Sequence, residues 1–361
     1  MQIRSGVVTA MYLFDVAEQI DLPRLRGAVG GGSTPRFASK SMTPAYLQYR
    51  VPPLVVEGES AGVAIDGFSS RLKFFDYGVV SLALSRRFNG SWSDLVATAH
   101  EYIENAALEE QAEQTIRRVV SRCAEAMTRL RQSWVSEDYL VIAVTDVEGQ
   151  PHADALLAEH GRFIAQGLRG ETQTLSAQEE EEVLRNRLSY LATDLVIPTW
   201  NAAFVYDTEA GALAALELFE FANSQLLEFR YYDGLLDAEL ARIYPSLPHT
   251  TWRKSLFGGR AVQAANQLHT LFIEVNEITD HTENALKIVG DIYAARVFSM
   301  VAVRLGLARW KQNVEEKLKT LDDIYTSVVE QVSISRGQFL ELVVVLILVL
   351  ELIFFFLGLM K

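Results

Sequence analysis

The stretch Phe339–Met360 reads FLELVVVLILVLELIFFFLGLM and ends the chain but for Lys361. Between Leu342 and Met360 each residue is apolar or Gly except Glu351. Nineteen helical positions at ~1.5 Å each span ~28 Å, close to the ~30 Å hydrocarbon core of a bilayer. The segment is read as one transmembrane helix, in preference to a buried helix of a large core, because buried helices are rarely apolar on all faces for so long. Glu341 sits at its start, within reach of headgroups. Glu351 sits near its middle, where an ionised side chain costs ~2.5–3.5 kcal/mol on insertion scales. Glu351 is therefore protonated or turned towards protein or water. A hydrogen-bonded contact between spans, an ion or proton path, and a contact with lipid headgroups or a further partner all remain open for it.

Working back from this segment, Val314, Leu318, Leu321, Tyr325, Val328, Val332, Ser335, Phe339 and Leu342 alternate spacings of four and three. This is a heptad seam, and it continues through Leu346, Val349 and Ile353. No proline interrupts it from Ala308 onwards, so one helix approaching 80 Å is expected. The preceding residues Leu268, Leu271, Val275, Ile278, Thr282, Ala285, Val289 and Ile292 keep the same rhythm. They predict a long helix from about Arg260 to Leu305, broken from the next by Gly306. Together the two helices form an antiparallel hairpin stalk. Glu351 lies opposite the seam, so covering both sides needs more than two spans and points to a homo-oligomer above a dimer.

The first 207 residues read differently. Val7–Phe14, Leu54–Glu57, Leu72–Leu84, Tyr139–Val147, Leu195–Pro198 and Ala202–Tyr206 are β-rich. Leu72–Leu84 reads as one buried strand, with Gly78 marking a bulge or a close backbone approach. Helices are expected over Ser93–Arg131, as one or two pieces with Ser93 as a cap, and over Ala153–Leu168 and Ser176–Leu191. Ser176 with Glu179 is a capping-box signature, which explains the acidic run Glu179–Glu182 by the helix dipole rather than by a metal. Ala212–Tyr244 is a further helix, ended by Pro245 and Pro248, with a turn at Phe257–Gly259. The fold class is α+β, an α/β body at 1–207, then connecting helices at 208–258, a helical stalk at 259–337 and a transmembrane anchor at 338–361.

Composition narrows the function. A net charge of −13 argues against a general nucleic-acid binder. The lone Cys123 rules out an internal disulfide and suits a reducing compartment. Arg26–Pro35 is glycine-rich but lacks a phosphate-loop ending. His100, His152, His160, His249, His269 and His281 show no metal-ligand spacing. No nucleophile elbow or kinase set is present. No catalytic, cofactor-binding or metal residues are assigned, and no cofactor is expected. With no convincing secretory signal, and with basic residues before the span and only Lys361 after it, the body should face the cytoplasm from a bacterial or mitochondrial inner membrane.

Two places resemble the "required for meiotic nuclear division" family. Phe75–Val80, FDYGVV, is similar to that family's strand around Asp76, Tyr77 and Gly78. Phe339–Leu352 resembles its terminal leucine-glutamate-aromatic run, apolar span and second glutamate. Glu341 and Glu351 match the glutamates, whereas Leu342 stands where an aromatic is expected. The resemblance implies a membrane-anchored homo-oligomer without established catalysis, whose mitochondrial members support translation. The layout also looks like CorA-type magnesium channels, but the Gly-Met-Asn loop and second span are missing. The expected function is a tail-anchored scaffold that docks a protein partner, with Phe339, Glu341, Leu346 and Glu351 at the membrane and oligomer interface. A channel subunit lined by Glu351 and a membrane-bound enzyme are the alternatives.

Overall fold

The computed structural model describes residues 1–29, 47–103, 105–243, 270, 272, 273, 275, 286–288 and 291–356. It comprises two compact units. The first takes in Met1–Tyr231 and Asp280–Lys311, and the second Tyr232–Thr279 and Gln312–Lys361.

In chain order the first unit contains β1 (Ile3–Asp15), β2 (Ala17–Ile20), α1 (Leu22–Val29), β3 (Leu47–Tyr49), β4 (Leu54–Glu57), β5 (Ser69–Phe74) and β6 (Val79–Gly90). Next come α2 (Trp92–Tyr102), α3 (Ala106–Cys123), β7 (Met127–Leu130), β8 (Ser136–Val147), α4 (Ala153–Arg169) and α5 (Ala177–Arg185). β9 (Leu195–Pro198), β10 (Ala202–Tyr206), α6 (Glu209–Ile243), β11 (Leu286–Ile288), α7 (Ile292–Leu305) and α8 (Leu307–Phe356) complete the chain, with α6 and α8 each running on into the second unit.

Seven strands form one sheet in the order β4-β5-β6-β1-β8-β10-β9. All neighbours are antiparallel except β8 and β10. That parallel pair requires a crossover, which α4 and α5 supply. β1 lies at the centre, and from Val8 to Asp15 it has no exposed residue. Such continuous burial means that both faces of the sheet are covered. On one face Tyr12, Phe14, Leu82, Ile142 and Phe204 join Trp92, Ile116, Leu156 and Ile164 in the main core. The alternate residues of the strands, among them Met11, Leu13, Lys73, Ser81 and Tyr139, point to the other face and meet α6.

Several expectations need correction. Leu72–Leu84 is two strands joined by a tight turn, because Phe75 N–H donates to Val79 and Gly78 N–H donates to Phe75. Both faces being buried removes the alternation that would have shown the break. The cap of α2 is Ser91, which exchanges side-chain hydrogen bonds with Asp94, and Ser93 lies inside the helix. The helix expected up to Arg131 stops at Cys123, and Met127–Leu130 is a strand. Ser176 does cap α5, accepting from Glu179 N–H, but the helix ends at Arg185. No single helix runs from Arg260 to Leu305: Leu286–Ile288 pairs with Leu47–Tyr49, and α7 starts afresh at Ile292 behind an Asp291 cap. Residues 30–35, Pro245, Pro248, the turn at 257–259, His249, His269 and His281 lie outside the described residues.

Gly306 ends α7 in the left-handed conformation, as expected, with φ +66°. Within the second unit Lys317 of α8 bridges Asp233 and Asp237 of α6, each at 2.7 Å. Within that unit α8 is thus tied to the end of α6, and the first of the two expected stalk helices is interrupted by the strand Leu286–Ile288.

The membrane anchor is overturned as well. Among the described residues no helix is long and apolar enough to cross a membrane. Glu341 and Glu351 bracket an uninterrupted apolar run of only nine residues, 342–350. Nine residues at ~1.5 Å cover ~13 Å, less than half a hydrocarbon core. The transmembrane, tail-anchored and single-pass inner-membrane assignments fall with it.

Candidate functional site

The face of α6 turned to the sheet carries Glu217, Glu220, Ser224 and Glu228, spaced by three, four and four. This spacing puts them on one side of the helix. All four are buried, with exposures of 3%, 0%, 0% and 1%. Buried carboxylates need partners, and the sheet supplies them. Lys73 of β5, itself at 0% exposure, places Nζ 2.7 Å from Glu217 and 2.5 Å from Glu220. Arg71, two residues earlier on the same face, reaches Glu217 at 3.6 Å and Glu220 at 3.0 Å. The result is a square of two cations and two anions, of which Arg71 alone keeps some exposure to water, 12% of its side chain. Burial works to raise the Glu220 carboxyl, but Lys73 and then Arg71 outweigh it and hold it below its ordinary value.

A second cluster lies nearer the end of β1. Asp15, at 0% exposure, accepts from Arg131 Nε at 3.3 Å. Arg131 donates to the Tyr231 hydroxyl at 2.7 Å and stacks 3.7 Å above its ring. Glu228 is buried beside them, and neither of its oxygens has a hydrogen-bond partner among the described residues. Burial pushes the Asp15 carboxyl up to about 6, with Arg131 opposing. Burial and then the charge of Asp15 push Glu228 well above its ordinary value, again against Arg131.

Between the clusters stands the Phe75–Gly78 turn. Tyr77 and the Ser224 hydroxyl lie 2.7 Å apart, and burial raises the phenol well above its usual range. Gly78 has φ +97°, and a Cβ there would lie 1.8 Å from the Ala17 carbonyl oxygen. No other residue fits that approach. The turn is pinned to the strand beside it by Val16 N–H to Gly78 and Ile20 N–H to Asp76. Asp76, Tyr77 and Gly78, expected in a strand, thus form a constrained turn that carries Tyr77 into the middle of the buried polar seam.

The other site residues singled out in the sequence belong to the second unit. Phe339, Glu341, Leu346 and Glu351 fall on α8. Leu346 is 55% exposed, and its neighbours Val344, Val345, Ile347, Leu348 and Val349 are between 47% and 57% exposed. The side chains of Phe339, Glu341 and Glu351 lie outside the described residues. Sequence reading missed Asp15, Arg71, Lys73, Arg131, Glu217, Glu220 and Glu228. Two signals pointed to them: a lysine inside an apolar strand, and acids recurring at helical spacing inside an apolar helix.

Chemically the seam is a set of locked charges. A cavity of about 10 Å³ among Tyr102, Asp138, Tyr139 and Asn201 has room for about one water. Among the described residues no group of three or more His, Cys, Asp or Glu is placed to hold a metal ion.

A family model for the N-terminal domain of the uncharacterized protein MJ0711 matches residues 5–212, more than half of the chain. The matched span takes in the whole seven-stranded sheet but for the first two residues of β1, as well as the Phe75–Gly78 turn. The uncharacterized protein MJ0711 of Methanocaldococcus jannaschii is 24% identical over 200 residues, which covers 55% of this chain and 61% of that protein. The chain therefore matches less than two thirds of the length of this relative. No solved structure matches the chain.

Proposed function

The chain belongs to the family of the MJ0711 N-terminal domain, and from that premise we propose that it is a non-catalytic assembly module, an α/β body followed in the chain by a long helix through which copies of the chain associate. The observation that carries this reading is the exposed apolar run of α8. Residues 344–349 are consecutive, so they point to every side of the helix, and each is about half exposed. Fully burying a side chain of this size contributes about 1.5–3 kcal/mol. Six half-exposed ones leave several kcal/mol unrealised in a single chain.

A second copy is the occupant that fits. The chain itself already buries Val314, Leu318 and Leu321, but in the sequence the heptad spacing continues from Tyr325 to Leu342, and identical helices in register can bury such a continuing seam against one another. One neighbour covers one stripe, whereas this run is open all round, so assemblies above a dimer are favoured. α8 lies beyond residue 212, where the family match ends, so association is a property proposed for this chain.

Sedimentation of the full chain tests the reading. The expected result is a species larger than a dimer, reduced to monomer by Val345→Glu with Leu348→Glu while circular dichroism stays unchanged. A wild-type chain that remains monomeric at high micromolar concentration would overturn it.

A further inference from the structure

Glu228 is the one member of the seam that the ion pairs leave over. Arg71 and Lys73 face Glu217 and Glu220, two cations to two anions. Arg131 faces Asp15, one to one. Glu228 then adds a carboxyl to a cluster already balanced, at 1% exposure, with both oxygens lacking a hydrogen-bond partner among the described residues. A buried charge left uncompensated costs several kcal/mol. The chain escapes that cost only by keeping a proton.

We propose that Glu228 keeps a proton in the folded protein beside the Asp15–Arg131 ion pair, and that Asp15 and Glu228 together act as a pH-set latch: with Glu228 protonated α6 stays seated on the sheet, and loss of the proton to water loosens that stretch of the helix. The groups around the pair come from every neighbouring element. β1 supplies Asp15, the segment after β7 supplies Arg131, α6 supplies Glu228 and Tyr231, and the Phe75–Gly78 turn supplies Tyr77. Glu18 of β2 acts on Tyr231 from further off. Arg131 is a cation acting on both carboxyls. With both carboxyls ionised the cluster carries two negative charges against one positive, and repulsion falls on the join between β1 and α6.

Both carboxyls bind their proton more tightly in the folded protein than in the unfolded chain. The stabilisation is therefore complete at acid pH. It begins to fade as pH rises through about 6, where Asp15 titrates, and is lost as Glu228 titrates above its ordinary range.

The test is native-state hydrogen exchange of the full chain at the amides of residues 219–229, corrected for the intrinsic hydroxide dependence. Once Glu228 titrates, the opening constant should rise about tenfold per pH unit, the slope of one released proton. Glu228→Gln, which is neutral at all pH, should make that profile flat. If this variant fails to fold, infrared spectra of the wild-type chain decide. A protonated-carboxyl stretch that is present at neutral pH and vanishes on raising pH together with α6 protection supports the latch. Absence of that band at neutral pH, or exchange that does not change with pH, overturns it.

Discussion

Lys73 Nζ and the Glu220 carboxylate sit 2.5 Å apart with neither side chain exposed to solvent. The pair joins the sheet to α6, and its strength is in the pairing. Replacing one partner leaves a buried charge behind, which typically costs 3–5 kcal/mol, whereas replacing both by apolar groups is often close to neutral. Lys73→Met should therefore destabilise the α/β body by about 3–5 kcal/mol. Lys73→Met with Glu220→Leu should recover most of that loss, since Arg71 still faces Glu217. Urea unfolding of the two single variants and the double variant measures the coupling.

Gly78→Ala should be among the most damaging single changes in the first unit. It places a Cβ 1.8 Å from the Ala17 carbonyl oxygen at φ +97°. Left-handed strain alone costs about 1–3 kcal/mol, and the clash forces β2 or the turn to move as well. A shift in the urea midpoint worth more than about 2 kcal/mol is expected.

Tyr77→Phe removes one buried hydroxyl. Its partner Ser224 keeps a hydrogen bond to the Phe221 carbonyl at 2.7 Å. The loss should be close to the ordinary net value of one hydrogen bond, about 1 kcal/mol, with no change in circular dichroism. A loss several times larger would mean that Tyr77 also orders the turn.

Asp15→Asn removes the like charge that acts on Glu228 while the opposing charge of Arg131 stays. The Glu228 carboxyl should then titrate lower than in the wild-type chain. Carboxyl-carbon NMR on the variant and the parent gives the direction directly. A Glu228 that titrates unchanged in Asp15→Asn would show that burial alone sets its affinity for the proton.

Much of the α/β body was legible because β-rich runs bounded by turn residues are local signals. Leu54–Glu57, Leu195–Pro198 and Ala202–Tyr206 are strands with those limits. The hairpin at Phe75–Gly78 was hidden because β5 and β6 meet it with residues buried on both faces, so period two disappears. The charged seam was hidden for another reason: Asp15, Lys73, Arg131 and Glu220 are far apart in sequence and gain meaning only once α6 lies across the sheet. The helix expected from Arg260 to Leu305 failed because its heptad rhythm at Ala285, Val289 and Ile292 runs straight past Leu286 and Ile288, whose period of two is that of a strand. The anchor was expected because a contact between spans could shelter Glu351, so the hydropathy of the whole run outweighed the charge that cuts its uninterrupted apolar part to 342–350.

The place of β1 has a consequence for how the chain is made. Residues 3–15 are at the ribosome's exit early, but β8, one of the two strands that flank β1, spans Ser136–Val147. At roughly 5–20 residues per second, β1 waits on the order of ten seconds or more before that partner exists. During this interval an eight-residue stretch destined for complete burial has one open edge, even after the β6 hairpin has formed. Chaperone capture, or mispairing with another nascent copy, is most damaging in that window, so slowing translation between codons 90 and 136 should lower the yield of native protein more than slowing it after 206.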